Sequence, residues 1–212
     1  MSGTVIKPLR LAVLASGRGS NLQALIDASE SGRMDGKVAL LLTDNPNAYA
    51  IERAKKHDIP FRIIERKDFA SRQAFDSAFA DAVEESGVDI VALAGFMRII
   101  SPSFLSRFPG KVINVHPSLL PAFPGLDAQK QAFEYGVKIT GCTVHFVDEG
   151  VDTGPIIIQS AVPVLPEDTV ELLSARILEQ EHIIYPKAVT MIARGEALPP
   201  EKFLARMNGL VS

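Results

Sequence analysis

Asn114 and His116 are the residues whose types and spacing first suggest chemistry in this chain. They sit two positions apart in KVINVHPSLLPAFPG, residues 111–125. Val112, Ile113 and Val115 around Asn114 read as a buried strand, and alternate residues of a strand point to the same side. An amide and an imidazole are therefore aimed together where that strand ends. Pro117, Pro121 and Pro124 follow, and each removes a backbone donor and fixes φ, so no regular element continues. The amide brings two donors and an acceptor, and the imidazole gives or takes a proton near neutral pH. The pair suits binding or transforming a polar group. Taken alone, it also suits a histidine that satisfies loop carbonyls and an asparagine that pins a turn.

Four further groups could take part. Ser16-Gly17-Arg18-Gly19-Ser20-Asn21 lies between an apolar run and the helical spacing of Leu22, Leu25 and Ile26. A helix N-terminus preceded by glycines offers free backbone N–H groups to an anion. Leu22 stands where a dinucleotide fingerprint wants its third glycine, and no lysine stands where a Walker loop wants one. A phosphate monoester is the better fit, and a tight turn without a ligand fits equally. The stretch HFVDEGVDT, residues 145–153, holds Asp148, Glu149 and Asp152. Three carboxylates can chelate a divalent ion, but the spacing departs from the calcium loop. Gly150, Gly154 and Pro155 suit an exposed acidic hairpin turn, and no metal is expected. Gln180-Glu181-His182 reads as helix surface; Glu181 and His182 point about 100° apart and form no metal pair. Phe96-Met97-Arg98-Ile99-Ile100 mixes apolar side chains with one cation, as would the wall of a pocket for a flat, partly charged ligand or a core segment with a surface arginine.

The elements that must position these groups follow from periodicity. Short apolar runs at 9–15, 37–43, 61–64, 89–95 and 111–115 read as buried strands. Helical segments alternate with them, at 22–31, 48–56, 71–85 and 101–107; Phe75, Ala78, Phe79, Ala82 and Val83 share one face of the third. Ser101-Pro102 reads as an N-cap with proline at the first helical position. Such alternation implies a doubly wound, mostly parallel Rossmann-like α/β sheet with helices on both faces. The runs 139–147 and 155–164 have no helix between them and imply an antiparallel hairpin late in the chain. A last helix spans about 169–194, and the tail with Pro199-Pro200 carries no assignment.

The 212 residues are expected to form one domain, and a 47% apolar fraction is ample for its core. A net charge of −3 gives no basic footprint for nucleic acid. One cysteine, Cys142, excludes an internal disulfide and reads as a small buried strand residue. No apolar run is long enough to span a bilayer, and a reducing, cytoplasmic location is expected.

Taken together, five stretches resemble the formyltransferase family, in its glycinamide ribonucleotide branch. They are SGRGSNL at 16–22, AGFMRI at 94–99, INVHPSLLPAFPG at 113–125, GCTVHFVDEGVDTGPII at 141–157 and EQEHIIYP at 179–186. The resemblance runs in order over nearly the whole chain. It implies transfer of the formyl group of 10-formyltetrahydrofolate to the amine of 5'-phosphoribosylglycinamide in purine biosynthesis. It implies Asn114 and His116 as donors to the tetrahedral oxyanion, His116 as general acid, and Asp152 as a carboxylate of raised pKa that helps take the amine proton. It implies Gly19, Ser20, Asn21 and Glu181 as acceptor-binding residues, and Arg72, Met97, Arg98, Ile99, Ile100 and Asn114 as folate-binding residues. The nucleotide-binding half would be about 1–108 and the folate-binding, catalytic half about 109–212. Folate enters as a co-substrate, without a metal; both partners are small molecules, and a homodimer is left open. Arg18 receives no role. Alternatives are a 10-formyltetrahydrofolate hydrolase or an aminoacyl-tRNA formyltransferase using the same Asn-His-Asp group. Those branches carry an additional N-terminal domain or a C-terminal RNA-binding extension, neither of which is read here. A non-catalytic nucleotide-binding module would leave Asn114, His116 and the acidic loop unexplained.

Overall fold

The computed structural model describes residues 7–197 and 199. The rest of the Pro199-Pro200 tail lies outside the described residues. The elements are β1 (Leu9–Leu14), α1 (Ser20–Glu30), β2 (Gly36–Thr43), α2 (Ala50–Lys56), β3 (Phe61–Ile63), α3 (Arg72–Glu85), β4 (Ile90–Leu93), α4 (Pro102–Arg107), β5 (Val112–His116), α5 (Ala128–Tyr135), β6 (Ile139–Phe146), β7 (Ile156–Pro163) and α6 (Val170–Ala193). A short 3₁₀ turn, 66–68, precedes α3. The described strands form one sheet in the order β3-β2-β1-β4-β5-β6-β7. Neighbours are parallel up to β5, whereas β5–β6 and β6–β7 are antiparallel.

The sequence explains the two-sided burial. Leu11 and Val13 pack with Leu22, Leu25, Ile184 and Tyr185 from α1 and α6 on one face. Ala12 and Leu14 pack with Phe75, Phe79, Phe104 and Phe108 on the other. Alternate side chains point to opposite faces, so a strand covered on both sides must be apolar throughout. Ser71, Ser101 and Thr169 cap α3, α4 and α6 by accepting the backbone N–H three residues on, each worth about 1 kcal/mol. No described helix is long and apolar enough to cross a membrane.

Helix α5 has no counterpart in the sequence reading. It buries only Ala128 and Ala132, so its apolar periodicity is faint, and it follows a proline-rich loop. It starts after Asp127 (φ 55°) and ends at Gly136 (φ 80°), both left-handed.

The strand order reverses direction between β1 and β4, and ligands of open α/β sheets bind beyond the carboxyl ends at such a point. The glycine turn leaves β1 there, the 95–100 loop leaves β4, and Asn114 and His116 end β5. The buried Tyr185 hydroxyl lies 2.9 Å from the Leu93 carbonyl and 3.3 Å from that of Ile113, tying α6 to the ends of β4 and β5.

Candidate functional site

The antiparallel pairing of β5 with β6 sets Asn114 opposite His145 and His116 opposite Thr143. Asn114 Nδ2 lies 3.3 Å from His145 Nε2. His145 Nδ1 is 2.8 Å from the carbonyl oxygen of Phe146, which can only accept, so Nδ1 carries the hydrogen. When neutral, the His145 ring presents Nε2 as an acceptor to the Asn114 amide; when protonated, it can donate from Nε2 to Asp152. His116 Nε2 lies 2.9 Å from the Phe123 carbonyl and by the same reasoning donates to it. Its Nδ1 faces Asp152 Oδ2 at 3.3 Å, and Asp152 Oδ1 lies 3.5 Å from His145 Nε2. The Gly125 N–H donates to Asp152 Oδ2 at 2.8 Å.

One carboxylate thus sits between two imidazoles, each already giving one N–H to a backbone carbonyl. A ring can donate to Asp152 only when it carries a second proton. Burial pushes the Asp152 carboxyl up, but hydrogen bonding from His145 and Gly125 and the nearby imidazoles outweigh it, so its pKa lies below the usual value. This departs from the raised pKa that the resemblance implies, because the donors from His145 and Gly125 and the imidazole charges outweigh burial. Asp152 also holds φ at 54°, the left-handed region that a non-glycine residue enters at a cost of about 1 kcal/mol.

In this structure Asn114 and His116 are both engaged by protein partners. His116 is 5% exposed and its Nε2–H is occupied by Phe123. Asn114 is half-buried, and among the described residues its side chain bonds only to His145. Thr143 fixes the loop after β5: its hydroxyl donates to the Ser118 carbonyl at 2.7 Å and accepts the Leu120 N–H at 3.1 Å. Cys142 is buried beside it, which pushes its thiol up to about 12.

At the glycine turn, Gly19 precedes α1 with φ 68°, and a Cβ there would lie 2.8 Å from that of Ala50. Only glycine satisfies both constraints. Arg18 is exposed; its carbonyl, not its guanidinium, is used, accepting from Arg53 Nε at 2.9 Å. Ser20 opens α1 half-buried, while Asn21 is 8% exposed and donates from Nδ2 to Glu181 Oε2 at 2.7 Å. Glu181 is 6% exposed, so the helix-surface reading of this trio fails: α6 packs on α1 and turns the carboxylate inward. Burial pushes the Glu181 carboxyl up to about 7, against the pull of the Asn21 amide. Asn21 Oδ1 has no hydrogen-bond partner among the described residues.

A third group forms a cavity of about 330 Å³ beside β1 and β4. Its floor is Leu14, Phe75, Phe79, Phe96 and Phe104, and its walls are Met97, Arg98, Ile99 and Ile100 with Arg66 and Arg72. Met97 and Ile99 are 78% and 76% exposed. Arg72 donates to the Ile99 carbonyl at 3.0 Å. An apolar cleft rimmed by guanidinium groups suits a flat ligand with a carboxylate at one end.

The structure therefore assembles the sequence-derived residues in three sets along one edge of the sheet: Asn114–His116–Asp152, the glycine turn with Glu181, and Arg72 with 97–100. His145 and Arg66 were not singled out. His145 could be found only from strand register, and Arg66 only from the turn that brings it to the cavity. The acidic loop does behave as a turn, since Asp148 accepts from Gly150 N–H and the Thr153 hydroxyl.

A family model described as formyl transferase matches residues 9–189. The chain is 45% identical over 183 residues to the phosphoribosylglycinamide formyltransferase of Bacillus subtilis, covering 86% of this chain and 94% of that protein. It is 49% identical over 191 residues to the trifunctional purine biosynthetic protein adenosine-3 of Drosophila melanogaster, spanning 89% of this chain but 14% of that relative's length. Among solved structures, glycinamide ribonucleotide transformylase 1 from Symbiobacterium toebii superposes with a TM-score of 0.88 at 50% identity, covering 92% of this chain and 94% of that one.

Proposed function

The chain belongs to the formyl transferase family, and from that premise we propose that it transfers the formyl group of 10-formyltetrahydrofolate to the amine of 5'-phosphoribosylglycinamide, a step of purine biosynthesis. The observation that carries this reading is the Asn114–His116–Asp152 cluster, lying on the same sheet edge as a glycine turn and an arginine-rimmed apolar cavity. The turn suits a phosphate, with Gly19 and Ser20 at the start of α1 and Asn21 in its first turn. Glu181 suits a ribose, because a carboxylate accepts from hydroxyl groups. The cavity suits the donor, with Met97, Arg98, Ile99 and Ile100 against the pterin and Arg72 toward its acidic end.

The chemistry follows from the donors. The amine attacks the formyl carbon, and the carbonyl oxygen becomes an oxyanion. Asn114 Nδ2–H and His116 Nε2–H stabilise it, the latter exchanging the Phe123 carbonyl for the substrate oxygen. One such donor is worth ~10²–10³-fold in rate. Asp152, with its pKa lowered, stays ionised and faces His116 Nδ1, where it steadies the charge that the ring carries when protonated. That ring delivers a proton to the departing folate nitrogen and is recharged by the proton that the attacking amine releases, so the protons balance. An ordinary carboxylate would be the stronger base; this one is better suited to keep the acid charged.

Incubation of the protein with both substrates, following deformylated folate by absorbance and the formylated acceptor by mass spectrometry, tests the reading. Product that requires the acceptor is the expected result. Equal folate turnover in an acceptor-free control would replace the transferase with a hydrolase.

A further inference from the structure

A well-screened carboxylate that has no part in the mechanism above lies beside the cavity wall. Asp44 follows β2, and its side chain is 9% exposed. Its Oδ1 accepts the Ser16 hydroxyl at 2.6 Å, and its Oδ2 accepts from Arg98 Nε. With its hydrogen given to Asp44, Ser16 Oγ accepts the Met97 backbone N–H at 3.0 Å. Two adjacent residues of the cavity wall are thus held from one carboxylate, Met97 through Ser16 and Arg98 directly. The Arg98 guanidinium lies over the Phe75 ring, 5.1 Å from its centre, on the cavity floor.

The sheet order explains the meeting. Strands β2, β1 and β4 are neighbours, so the residues just beyond their carboxyl ends adjoin: Asp44, Ser16 and the 95–100 loop. Ser16 N–H also donates to the Gly95 carbonyl at 3.1 Å, and Asn45 Nδ2 to the Ser16 carbonyl at 3.0 Å. Packing does not fix the middle of this loop, because Met97 and Ile99 are exposed. Polar contacts must fix it. An ionised Asp44 can only accept, which forces the Ser16 hydrogen toward it and a Ser16 lone pair toward Met97 N–H. An amide at position 44 could present N–H instead and would not impose that direction.

We infer that Asp44 is a positioning residue for the formyl-donor pocket, setting the Met97–Arg98 wall through Ser16 and Arg98; this rests on the function proposed above. The test compares Asp44→Asn, Ser16→Ala and the double variant by steady-state kinetics and by amide hydrogen exchange at Met97. In Asp44→Asn the donor KM rises about tenfold, the equivalent of one lost hydrogen bond, while the acceptor KM stays within about twofold. The Met97 amide exchanges about tenfold faster in both single variants, and the double variant is little worse than Asp44→Asn because the two share one path. An unchanged donor KM with unchanged Met97 exchange overturns the inference. So does an acceptor KM that rises in step with the donor KM, which marks general damage. Should the wild-type protein transfer no formyl group, the proposed function fails, while the Met97 exchange still decides whether Asp44 holds the wall.

Discussion

Asp152 and Glu181 are two well-screened carboxylates on one edge of the sheet, and their protonation is pushed in opposite directions. The Asp152 side chain is 14% exposed and Glu181 is 6% exposed. Burial is the largest influence on each, and it raises both. Asp152 has the Gly125 N–H and two imidazoles to answer it, and its pKa falls below the usual value. Glu181 has one neutral amide, and its pKa rises to about 7. The number and charge of donors thus decide which carboxylate is ionised. That division matches the roles proposed for them. In that proposal Asp152 stays ionised beside His116 while the ring gives up and regains its proton, and Glu181 accepts hydroxyl donors from a bound sugar.

Removing the partners of Asp152 gives the largest effects. His116→Ala lowers kcat by ~10²–10⁴-fold, the range for a lost general acid, in a protein that keeps its circular dichroism spectrum. Asn114→Ala lowers kcat by ~10²–10³-fold, as for one oxyanion donor.

The next effect is on stability at the other carboxylate. The folded-state pKa of Glu181, about 7, lies above the ordinary 4.5, so the folded protein holds this proton more tightly. Ionising it therefore costs stability progressively as pH rises from about 4.5 to about 7, and below that window no cost remains. Glu181→Gln should gain stability relative to wild type between pH 4.5 and pH 8, by at most about 3 kcal/mol at 1.36 kcal/mol per pKa unit. Urea unfolding at the two pH values checks this. A gain that is larger at pH 4.5 would break the comparison. The same variant raises the acceptor KM, because its amide accepts more weakly from a hydroxyl group.

The smallest effect sharpens the contrast. Asn21→Ala removes the one side-chain donor that Glu181 has among the described residues, so the carboxyl titrates at higher pH than in wild type. Carbon-13 titration of the two side chains should find Asp152 below its ordinary value and Glu181 well above it. In Asn21→Ala only the second should move.

Much of the frame was legible in the sequence because it rests on local patterns. Leu11 to Leu14 is apolar at every position, which a strand covered on both faces requires, and Ser71, Ser101 and Thr169 announce their helices. The Asn114–His116 pair was legible through proline punctuation and the two-residue period. Its environment was not. His145 faces Asn114 only through the β5–β6 register, which no local stretch encodes. The depressed pKa of Asp152 depends on donors from three separate segments. Glu181 was misread as helix surface because α6 buries residues on several sides, among them Leu173, Ile177, Ile184 and Tyr185, and so lacks a clear polar stripe. Helix α5 was missed for the opposite reason, since two alanines make too faint an apolar stripe.

The role of the cluster is tested most directly by the initial rate of formyl transfer in a folded Asp152→Asn protein. Asparagine keeps the shape and removes the charge that faces His116 Nδ1. The expected result is a kcat lower by ~10²–10⁴-fold, with both KM values changed only a few-fold. Turnover close to wild type in that variant would contradict the assignment of the transfer to Asn114, His116 and Asp152.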